Sequence, residues 1–407
     1  MTGMGYDIII VGAGISGLSL AHYCAKSGLG TLVLEKSVKA GGCFHSHRLE
    51  DGSGFWMELG SHTCYNSYGN LLGVMEDCGI LGRLIKREKV GYRMLVNNQV
   101  KSIPSQINFA EILVSAPRLL TLKKAGRSIE SYYAKIVGKT NYKRVFAPAF
   151  NAVICQEADH FPAEMLFKKR PRKKEILKSF TLAGGLQTII ESIASEKGVT
   201  LLTGQEVQSA AERSYGFDVA VGDGARFEAQ ALAIAVPPTE AAKLLRSSFP
   251  DLSARLSEIG VASVETVGAV VGKDALSLCP LAGIIAVDDS FFSAVSRDTV
   301  QHATHRGFSF HFKPRCADQD AKLKRISEVL GVSPGQIEHV VTKENFVPSL
   351  TVGHDALISD IDRLLAGKRL LLTGNYFSGL AIEDCVSRSL VEFSRLNGML
   401  EGHRPGW

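Results

Sequence analysis

The chain contains 407 residues, which is too long for one small hydrophobic core and predicts two or three lobes. Its hydrophobic content of 45% and charged content of 21% are typical of an ordinary globular protein, and its net charge of +5 does not indicate nucleic-acid binding. No long apolar run is free of glycine and charge, so we expect neither a transmembrane helix nor a signal peptide. Eight scattered cysteines without paired spacing predict free thiols and a cytoplasmic location.

The first clear pattern combines a strand, a glycine-rich turn, a helix and a second strand. Residues 6–11 are an apolar run, residues 12–17 have the sequence Gly-Ala-Gly-Ile-Ser-Gly, and residues 18–27 have a helix-like composition. A second apolar run over 31–34 ends in Glu35. This order within about thirty residues is typical of a dinucleotide-binding βαβ unit. On the pattern alone, the alternative is a parallel βαβ unit that binds no ligand.

Each glycine of this turn has its own physical task. Gly12 permits the tight turn, Gly14 lacks the Cβ that would keep the backbone away from a pyrophosphate, and Gly17 lets the helix lie close to the strand. The helix N-terminus then offers free N–H groups and the positive end of its dipole to the phosphates. The predicted contacts of this segment are Gly12, Ala13, Gly14, Ile15, Ser16 and Gly17.

Glu35 indicates which dinucleotide is bound. It lies eighteen residues beyond Gly17, where its carboxylate can accept hydrogen bonds from a ribose diol. The same charge would repel a 2′-phosphate, so the sequence disfavours NADP. We expect Glu35 and its neighbour Lys36 to contact the dinucleotide.

A second glycine pair, Gly41-Gly42, follows Glu35 and precedes Cys43. This order resembles the E-x-x-x-x-x-G-G-R-x-x-[ST] continuation of FAD enzymes in the amine oxidase and protoporphyrinogen oxidase superfamily, with cysteine in place of the arginine. The resemblance implies that FAD is the cofactor and that Gly41 and Gly42 contact it.

Residues 57–62, Met-Glu-Leu-Gly-Ser-His, resemble the E-L-G stretch that runs close to the flavin ring in that family. The resemblance makes His62 a candidate catalytic residue. The alternative is a partly exposed loop histidine.

The central part of the chain is predicted to alternate between helices and strands. Near-helical spacing of apolar residues predicts a helix over 63–85, and a polar turn at Asn97-Asn98 predicts a hairpin over 91–104. Helical patterning returns over 108–150.

Six cations occur among the seven residues 168–174. One interpretation is a solvated loop, and the other is a patch attracted to an anionic membrane or an acidic substrate. The cations are Lys168, Lys169, Arg170, Arg172, Lys173 and Lys174.

Residues 180–188 are predicted to open a helix that runs to about Ser195. This stretch resembles the G-G-x-x-x-L helix that returns the chain to the FAD lobe in the same superfamily. Residues 200–202 and 206–207 are predicted as a short strand pair beside the adenine, and the resemblance implies that Val207 contacts the adenine through its backbone.

The segment 239–345 is predicted to contain a helix, several strands and a helix around 318–330. We expect no metal site, because the histidines of this segment have neither Cys nor carboxylate partners at ligand spacing, and the alternate histidines next to the Gly41-Gly42 loop are no zinc signature. These histidines are His45, His47, His302, His305 and His311.

The last segment repeats the order of strand, glycine turn and helix start. Residues 369–373 predict a strand, and the turn that follows offers backbone N–H groups to a flavin carbonyl, which gains negative charge on reduction. The patterns P-x-x-x-x-G-H, beginning at Pro348, and G-N-x-x-x-G-x-x-I-x-D-C, beginning at Gly374, resemble the end of oxygen-dependent protoporphyrinogen oxidases.

This closer resemblance implies phosphate-side contacts from Gly374 and Asn375 and flavin-side contacts from Ala381 and Ile382. Arg93 resembles the arginine that faces a propionate of the porphyrin substrate, and the alternative for Arg93 is a surface strand residue. The chain lacks the S-G-G-C context that tethers flavin in some amine oxidases, so we expect FAD to be non-covalent.

The sequence therefore predicts an α/β fold with a Rossmann-like, glutathione-reductase-type FAD-binding lobe and an α+β substrate-binding lobe. The FAD lobe is assigned to 1–85, 180–236 and 346–407, and the substrate lobe to 86–179 and 237–345. The resemblance implies an oxidoreductase that takes hydride from a carbon activated by nitrogen or a conjugated ring, with molecular oxygen reoxidising FAD. The alternatives are a flavin amine oxidase, a desaturase of a biosynthetic pathway and a non-redox flavoprotein similar to sugar mutases.

Overall fold

The computed structural model describes residues 5–401, so residues 1–4 and 402–407 of the predicted FAD lobe lie outside the described residues. The strands are β1 (Tyr6–Val11), β2 (Thr31–Glu35), β3 (Ser46–Arg48), β4 (Trp56–Glu58), β5 (Cys64–Tyr65), β6 (Leu84–Lys86), β7 (Tyr92–Val96), β8 (Gln99–Ser102), β9 (Ser179–Leu182), β10 (Val199–Thr203), β11 (Val207–Arg213), β12 (Gly216–Val221), β13 (Arg226–Ile234), β14 (Gly260–Gly272), β15 (Gly283–Ala286), β16 (Phe291–Ser296), β17 (His305–Phe312), β18 (Ile337–Ser349) and β19 (Leu370–Leu372). The α-helices are α1 (Ile15–Lys26), α2 (Gly69–Asp77), α3 (Phe109–Ser115), α4 (Ile129–Val137), α5 (Lys139–Asn141), α6 (Ala147–Ile154), α7 (Gln187–Ala194), α8 (Pro238–Leu245), α9 (Pro250–Ser257), α10 (Gln319–Leu330), α11 (His354–Leu365) and α12 (Ile382–Glu401).

The first sheet joins strands from the beginning, the middle and the end of the chain. Its order is β10-β2-β1-β13-β12-β11, with β19 pairing beside β13. The strands β10, β2, β1, β13 and β19 pair in parallel, whereas β12 and β11 are antiparallel additions. The predicted Rossmann-like fold is confirmed by this parallel core.

The strand β1 sends alternate side chains into two different cores, because successive residues of a strand point to opposite faces. Ile8 and Ile10 pack with α1, α7 and α12, whereas Ile9 and Val11 pack with helices on the other face. All four side chains are at most 5% exposed. Burial on both faces explains why residues 6–11 are an almost continuous apolar run.

The second sheet is mostly antiparallel and has the order β18-β14-β17-β16-β15-β7-β8. The strands β14 and β18 are each thirteen residues long and pair along nearly their whole length. Phe308, Phe310 and Phe312 of β17 are fully buried in the core that this sheet forms with α10. The division of the chain into lobes at the boundaries given above stays a prediction.

The helix predicted over 63–85 is too long. Only Gly69–Asp77 is α-helical, and short strands, β5 and β6, lie on either side of it and pair with β9. Gly79 has φ of +69°, a conformation that ends a right-handed helix, just after α2. The residues on either side of α2 are extended because they pair with β9. The same strand shortens the helix predicted from residue 180, because α7 begins only at Gln187.

The predicted strand pair near residues 200–207 is also wrong as a pair. The strand β10 lies at one edge of the first sheet, and β11 lies at the other edge. The two strands follow each other directly in the chain, so sequence proximity suggested a pairing that the sheet order does not contain. The helix predicted around 318–330 is confirmed as α10.

Candidate functional site

The glycine turn between β1 and α1 forms a cradle of backbone groups. Gly12 has φ of +102°, and a Cβ on Gly17 would lie 2.0 Å from the Gly12 carbonyl oxygen. Gly14 is the N-cap of α1, no side chain caps it, and the first turn carries no acidic residue. A Cβ on Gly14 would have nothing within 4 Å, so the space in front of it is open. The unneutralised helix start and this opening fit a pyrophosphate.

The carboxylate of Glu35 lies at the mouth of this cradle. One of its oxygens accepts a hydrogen bond from Ala13 N–H at 2.8 Å, and the other accepts one from Ser37 N–H at 2.9 Å. The carboxylate keeps acceptor capacity beyond these two bonds, so it can still bind a ribose diol. Gln205 N–H donates to the Glu35 carbonyl. This bond holds the start of β11, which begins at buried Val207, close to Glu35.

The second glycine pair, Gly41-Gly42, packs against the glycine turn between β1 and α1. Gly41 N–H donates to the Ala13 carbonyl at 2.9 Å, and Gly42, with φ of +57°, approaches Gly14. Lys343 of β18 donates a hydrogen bond to the Gly42 carbonyl, and burial lowers its pKa. Lys343 is therefore a cationic neighbour of the predicted cofactor site that no sequence motif indicated.

The C-terminal segment reaches the same region through α12. Ser389 donates to the Ser16 carbonyl at 2.7 Å, which ties α12 to the first turn of α1. Glu383 accepts bonds from Asn70 and Leu71 N–H groups and so caps the start of α2. Residues 374–382, which contain the remaining predicted FAD contacts, connect β19 to α12.

A separate small cleft opens beside the E-L-G stretch. His62 and Glu58 line it, together with residues from 295–309 and from β4. Arg87 and Arg297 supply its cations, whereas Arg93 is exposed on β7 and does not line it. The structure thus brings His62, but not Arg93, to this cleft.

His62 is a weak base in this setting. Burial lowers its pKa to about 3, and the charge of Arg87 acts in the same direction. Its Nδ1 is 2.8 Å from the Thr63 hydroxyl, and its carbonyl accepts a hydrogen bond from Arg87 at 2.7 Å. A neutral imidazole can donate or accept a hydrogen bond, but at neutral pH it rarely holds a second proton.

Glu58 is the titratable group of the cleft whose pKa lies closest to 7. Burial raises its pKa to about 7, against the opposing effects of Leu186 N–H and the Ser46 hydroxyl, which donate to its carboxylate at 2.9 and 2.8 Å. Glu58 belongs to the E-L-G stretch, but its raised pKa comes from burial in the folded chain, where Leu186, 128 residues away in the sequence, is one of its hydrogen-bond partners. A carboxyl group near pH 7 can carry a proton in either direction.

We expect Glu58→Gln to remove one component of the pH dependence of stability. The folded protein holds this proton more tightly than the unfolded chain, because the pKa of Glu58 rises from 4.5 to about 7 on folding. The free energy of unfolding should therefore fall in the wild type as pH rises through this window and level off above it. Urea unfolding at several pH values checks this, with Glu76→Gln on α2 as an exposed control. Identical profiles for Glu58→Gln and wild type would contradict the assignment.

Arg297 is a half-buried cation with a buried donor atom that is unpaired in the part of the chain that the structure describes. Its Nε donates to the Trp56 carbonyl at 2.9 Å and its guanidinium lies 3.9 Å from the Trp56 ring centroid, yet its buried Nη1 has no partner among the described residues. Burial lowers its pKa to about 10, so it stays charged at neutral pH. Asp298 beside it is already bound by Arg306 at 2.5 Å. A buried donor atom without a partner is costly, and an anion would satisfy it.

A second buried polar group lies beneath the E-L-G stretch. Asn345 donates to the Leu59 carbonyl at 2.8 Å and to the Thr266 hydroxyl at 3.1 Å, and Thr266 is 2.9 Å from His311 Nδ1. Burial lowers the pKa of His311 to about 4, so this group is neutral. These strands of the second sheet hold the E-L-G backbone in place by hydrogen bonds.

The glycine turn at the start of α1, the carboxylate of Glu35 beside it and the parallel sheet fit the class of FAD-dependent oxidoreductases. The chain matches the sequence model of the flavin containing amine oxidoreductases over residues 15–273, which is more than half of its length. It belongs to this family, and FAD is its cofactor.

The most similar proteins agree with this assignment at different levels. A stretch of 124 residues is 31% identical to a 15-cis-phytoene desaturase from Synechococcus elongatus, which corresponds to 28% of this chain and 25% of that protein. A protein from Exiguobacterium sp. 255-15, provisionally assigned as a protoporphyrinogen oxidase, superposes with a TM-score of 0.77 at 17% identity over 97% of this chain and 98% of that chain. A fatty acid isomerase from P. acnes gives a TM-score of 0.71 at 16% identity over 95% and 97%. At these identities the structures share the fold.

Proposed function

We propose that this protein transfers hydride from a substrate carbon, activated by a neighbouring nitrogen or a conjugated ring, to FAD, and that molecular oxygen reoxidises the flavin. We further propose that the substrate carries a carboxylate. The observation that supports the carboxylate is the buried, unpartnered Nη1 of Arg297 in the cleft next to the E-L-G stretch. A guanidinium binds a carboxylate through two parallel hydrogen bonds, and Arg87 adds a second positive charge nearby.

FAD supplies the hydride-accepting chemistry, and the predicted contacts from Gly12 to Gly17, Glu35, Lys36, Gly41, Gly42, Val207, Gly374, Asn375, Ala381 and Ile382 would hold it. The chain's own residues bind and orient the substrate. Trp56, Met57 and Val295 give the cleft apolar walls that exclude water. Glu58 is placed to hold or release a proton, and neutral His62 to form a hydrogen bond.

Two alternatives to an oxidase stay open. One is a desaturase, as in the similar 15-cis-phytoene desaturase, and the other is a flavoprotein that rearranges its substrate, as in the fatty acid isomerase and a UDP-galactopyranose mutase of similar fold. A flavoprotein that rearranges its substrate without net oxidation would transfer no electrons to oxygen. A carboxylate-binding Arg297 favours an acidic substrate over a simple amine or a hydrocarbon.

The proposed oxidation is tested by aerobic mixing of the purified yellow protein with protoporphyrinogen, a ring substrate that carries two propionates. Porphyrin fluorescence and peroxide should both rise above the rate without protein and should stop when FAD is removed. Flavin-containing protein that gives neither signal, with protoporphyrinogen, amines or unsaturated fatty acids, would contradict an oxidase function.

We also propose a peripheral contact between the basic run 168–174 and an anionic membrane. Lys168 and Arg170 form ion pairs with Asp384 at 3.3 and 2.7 Å, so these two side chains contribute to the fold. Lys169, Arg172 and Lys174 are exposed and free to face a negative surface. Among the described residues, none of the helices is both long and apolar enough to cross a bilayer.

We expect the triple variant Lys169→Ala, Arg172→Ala, Lys174→Ala to bind vesicles of phosphatidylserine and phosphatidylcholine more weakly, without a change in melting temperature. The reason is that the charges that stabilise the fold, on Lys168 and Arg170, remain. Vesicle co-sedimentation at low salt measures the binding. A control that removes three exposed lysines elsewhere (residues 89, 197 and 324) should bind as the wild type does, and equal losses in both variants would contradict a localised patch.

A further inference from the structure

Three side chains of types that can bind a metal lie together near the ends of α1, α2 and α7, and none of them lines the cleft. His22 of α1, Cys78 at the C-terminal end of α2 and Glu196 in the loop after α7 offer a nitrogen, a sulfur and an oxygen within 4.8 Å of one another. His22 is 1% exposed, and Cys78 and Glu196 are half-buried. In the part of the chain from residue 5 to residue 401, no other group of three His, Cys, Asp or Glu side chains has this arrangement.

The distances between the donors are close to those of a tetrahedral site. His22 Nδ1 is 2.9 Å from the Glu196 carboxylate, and Cys78 Sγ is 3.1 Å from Glu196 Oε1. Zinc bonds of about 2.0–2.1 Å to nitrogen and oxygen and about 2.3 Å to sulfur separate neighbouring ligands by roughly 3.3–3.6 Å. The two pairs that include Glu196 need to open by only a few tenths of an ångström to admit the ion, and the third pair, His22 and Cys78, lies within 4.8 Å.

The other nitrogen of His22 has the partner that a ligating histidine needs. Its Nε2 is 3.2 Å from Asp77 Oδ2, and Lys26 holds that carboxylate at 2.5 Å. A histidine that binds a metal through one nitrogen commonly donates the other N–H to a carboxylate, which fixes the tautomer and the ring orientation. Asp77 is therefore placed as an outer carboxylate, while Nδ1 faces Cys78 and Glu196.

We propose that His22 Nδ1, Cys78 Sγ and a Glu196 oxygen bind a divalent cation of the zinc class, with water in the remaining position. Imidazole, thiolate and carboxylate are the donors that zinc takes in proteins. On binding, the thiol proton that Cys78 now donates to Glu196 passes to solvent, and the thiolate sulfur forms the bond to the metal. The proton that His22 Nδ1 shares with the Glu196 carboxylate also leaves Nδ1, whose lone pair then binds the metal while Nε2–H faces Asp77. The ion would join three chain segments and so stabilise the lobe that carries α1.

This proposal is independent of the proposed oxidase function. The site lies towards the C-terminal end of α1, whereas the phosphate cradle lies at Gly14, roughly 12 Å away along a helix that rises about 1.5 Å per residue. A failure of the metal proposal leaves the substrate cleft and its test unchanged.

The test uses the FAD-containing protein after treatment with a chelator and removal of the chelator. Calorimetric titration with Zn²⁺, followed by metal analysis after gel filtration, should give one zinc per chain and a higher melting temperature in the wild type. Cys78→Ser and Glu196→Gln should lose at least tenfold in zinc affinity. Cys279→Ser removes an exposed thiol elsewhere and should bind as the wild type does.

Two results would overturn the proposal. One is the absence of stoichiometric zinc binding by the wild type, which would make the cluster a hydrogen-bonded group only. The other is zinc binding that both Cys78→Ser and Glu196→Gln retain, which would place the ion elsewhere. Flavin absorbance reports whether each variant is folded, so Glu196→Gln provides the answer where Cys78→Ser does not fold.

Discussion

Gly14→Ala should leave the folded apoprotein intact and weaken FAD binding at least tenfold. Gly14 has φ of −74° and ψ of 176°, which alanine adopts without strain, and nothing within 4 Å would contact its Cβ. The added methyl group would instead occupy the space through which a pyrophosphate approaches the N-terminus of α1. A tenfold loss corresponds to about 1.4 kcal/mol of binding free energy.

Titration of the apoprotein with FAD, followed by flavin fluorescence, measures this loss, and the melting temperature of the apoprotein should be unchanged. Gly73→Ala is the matched control, because Gly73 lies in α2 and its Cβ also has open space. Gly17→Ala should behave differently and reduce the yield of folded protein, since its Cβ would lie 2.0 Å from the Gly12 carbonyl oxygen. Wild-type affinity in Gly14→Ala would show that FAD is not bound at this turn.

Arg297→Gln should raise the KM for a carboxylated substrate tenfold to a hundredfold and change kcat much less. This range corresponds to the roughly 1.5–3 kcal/mol of a charged hydrogen bond, and binding a carboxylate far from the reacting carbon affects the ground state and the transition state alike. The substrate-free protein should lose little stability. The substitution removes a half-buried charge whose Nη1 has no partner among the described residues, although it also removes the bond to the Trp56 carbonyl.

Arg93→Gln is the matched control for Arg297→Gln, because it removes the same charge from an exposed position on the neighbouring β7. Steady-state kinetics of both variants separate the two arginines. A rise in KM for Arg93→Gln alone would support the role that the family resemblance implies for Arg93. It would contradict the role of Arg297.

The parts of the site that are close together in the chain could be predicted from the sequence. The glycine turn, its strand and Glu35 fall within thirty residues, and their contacts depend mainly on local backbone geometry. The structure places Glu35 at the mouth of that turn through its bonds to Ala13 and Ser37 N–H groups. The roles of these residues toward FAD stay predictions, because the contacts described are within the protein.

The substrate cleft could not be predicted in the same way. Arg87 and Arg297 are more than two hundred residues apart, and they line one cleft only because the segment after β6 and the segment after β16 both fold beside β4. A short sequence motif cannot indicate that such distant segments lie together. Glu58 was visible within the E-L-G stretch, but its raised pKa comes from burial, which a sequence does not show. The helix predicted over 63–85 was wrong for a related reason, since distant β9 pairs with residues on both sides of α2.

The metal-binding group shows the same limit. Its ligands are separated by 174 and 118 residues along the chain, for the His22–Glu196 and Cys78–Glu196 contacts respectively. A search for closely spaced histidines and cysteines therefore predicted no metal site. The proposal for zinc depends on the way α1, α2 and the end of α7 pack.

The central claim is that FAD in this protein accepts hydride from a carboxylated substrate. Its most direct test is anaerobic mixing of the yellow protein with protoporphyrinogen or with its dimethyl ester, while the oxidised flavin absorbance is followed. We expect the free acid to bleach the flavin at micromolar concentration and the ester to require at least tenfold more, with the difference lost in Arg297→Gln. Equal bleaching by acid and ester would contradict recognition of the carboxylate, and no bleaching by either compound would contradict protoporphyrinogen-like substrates altogether.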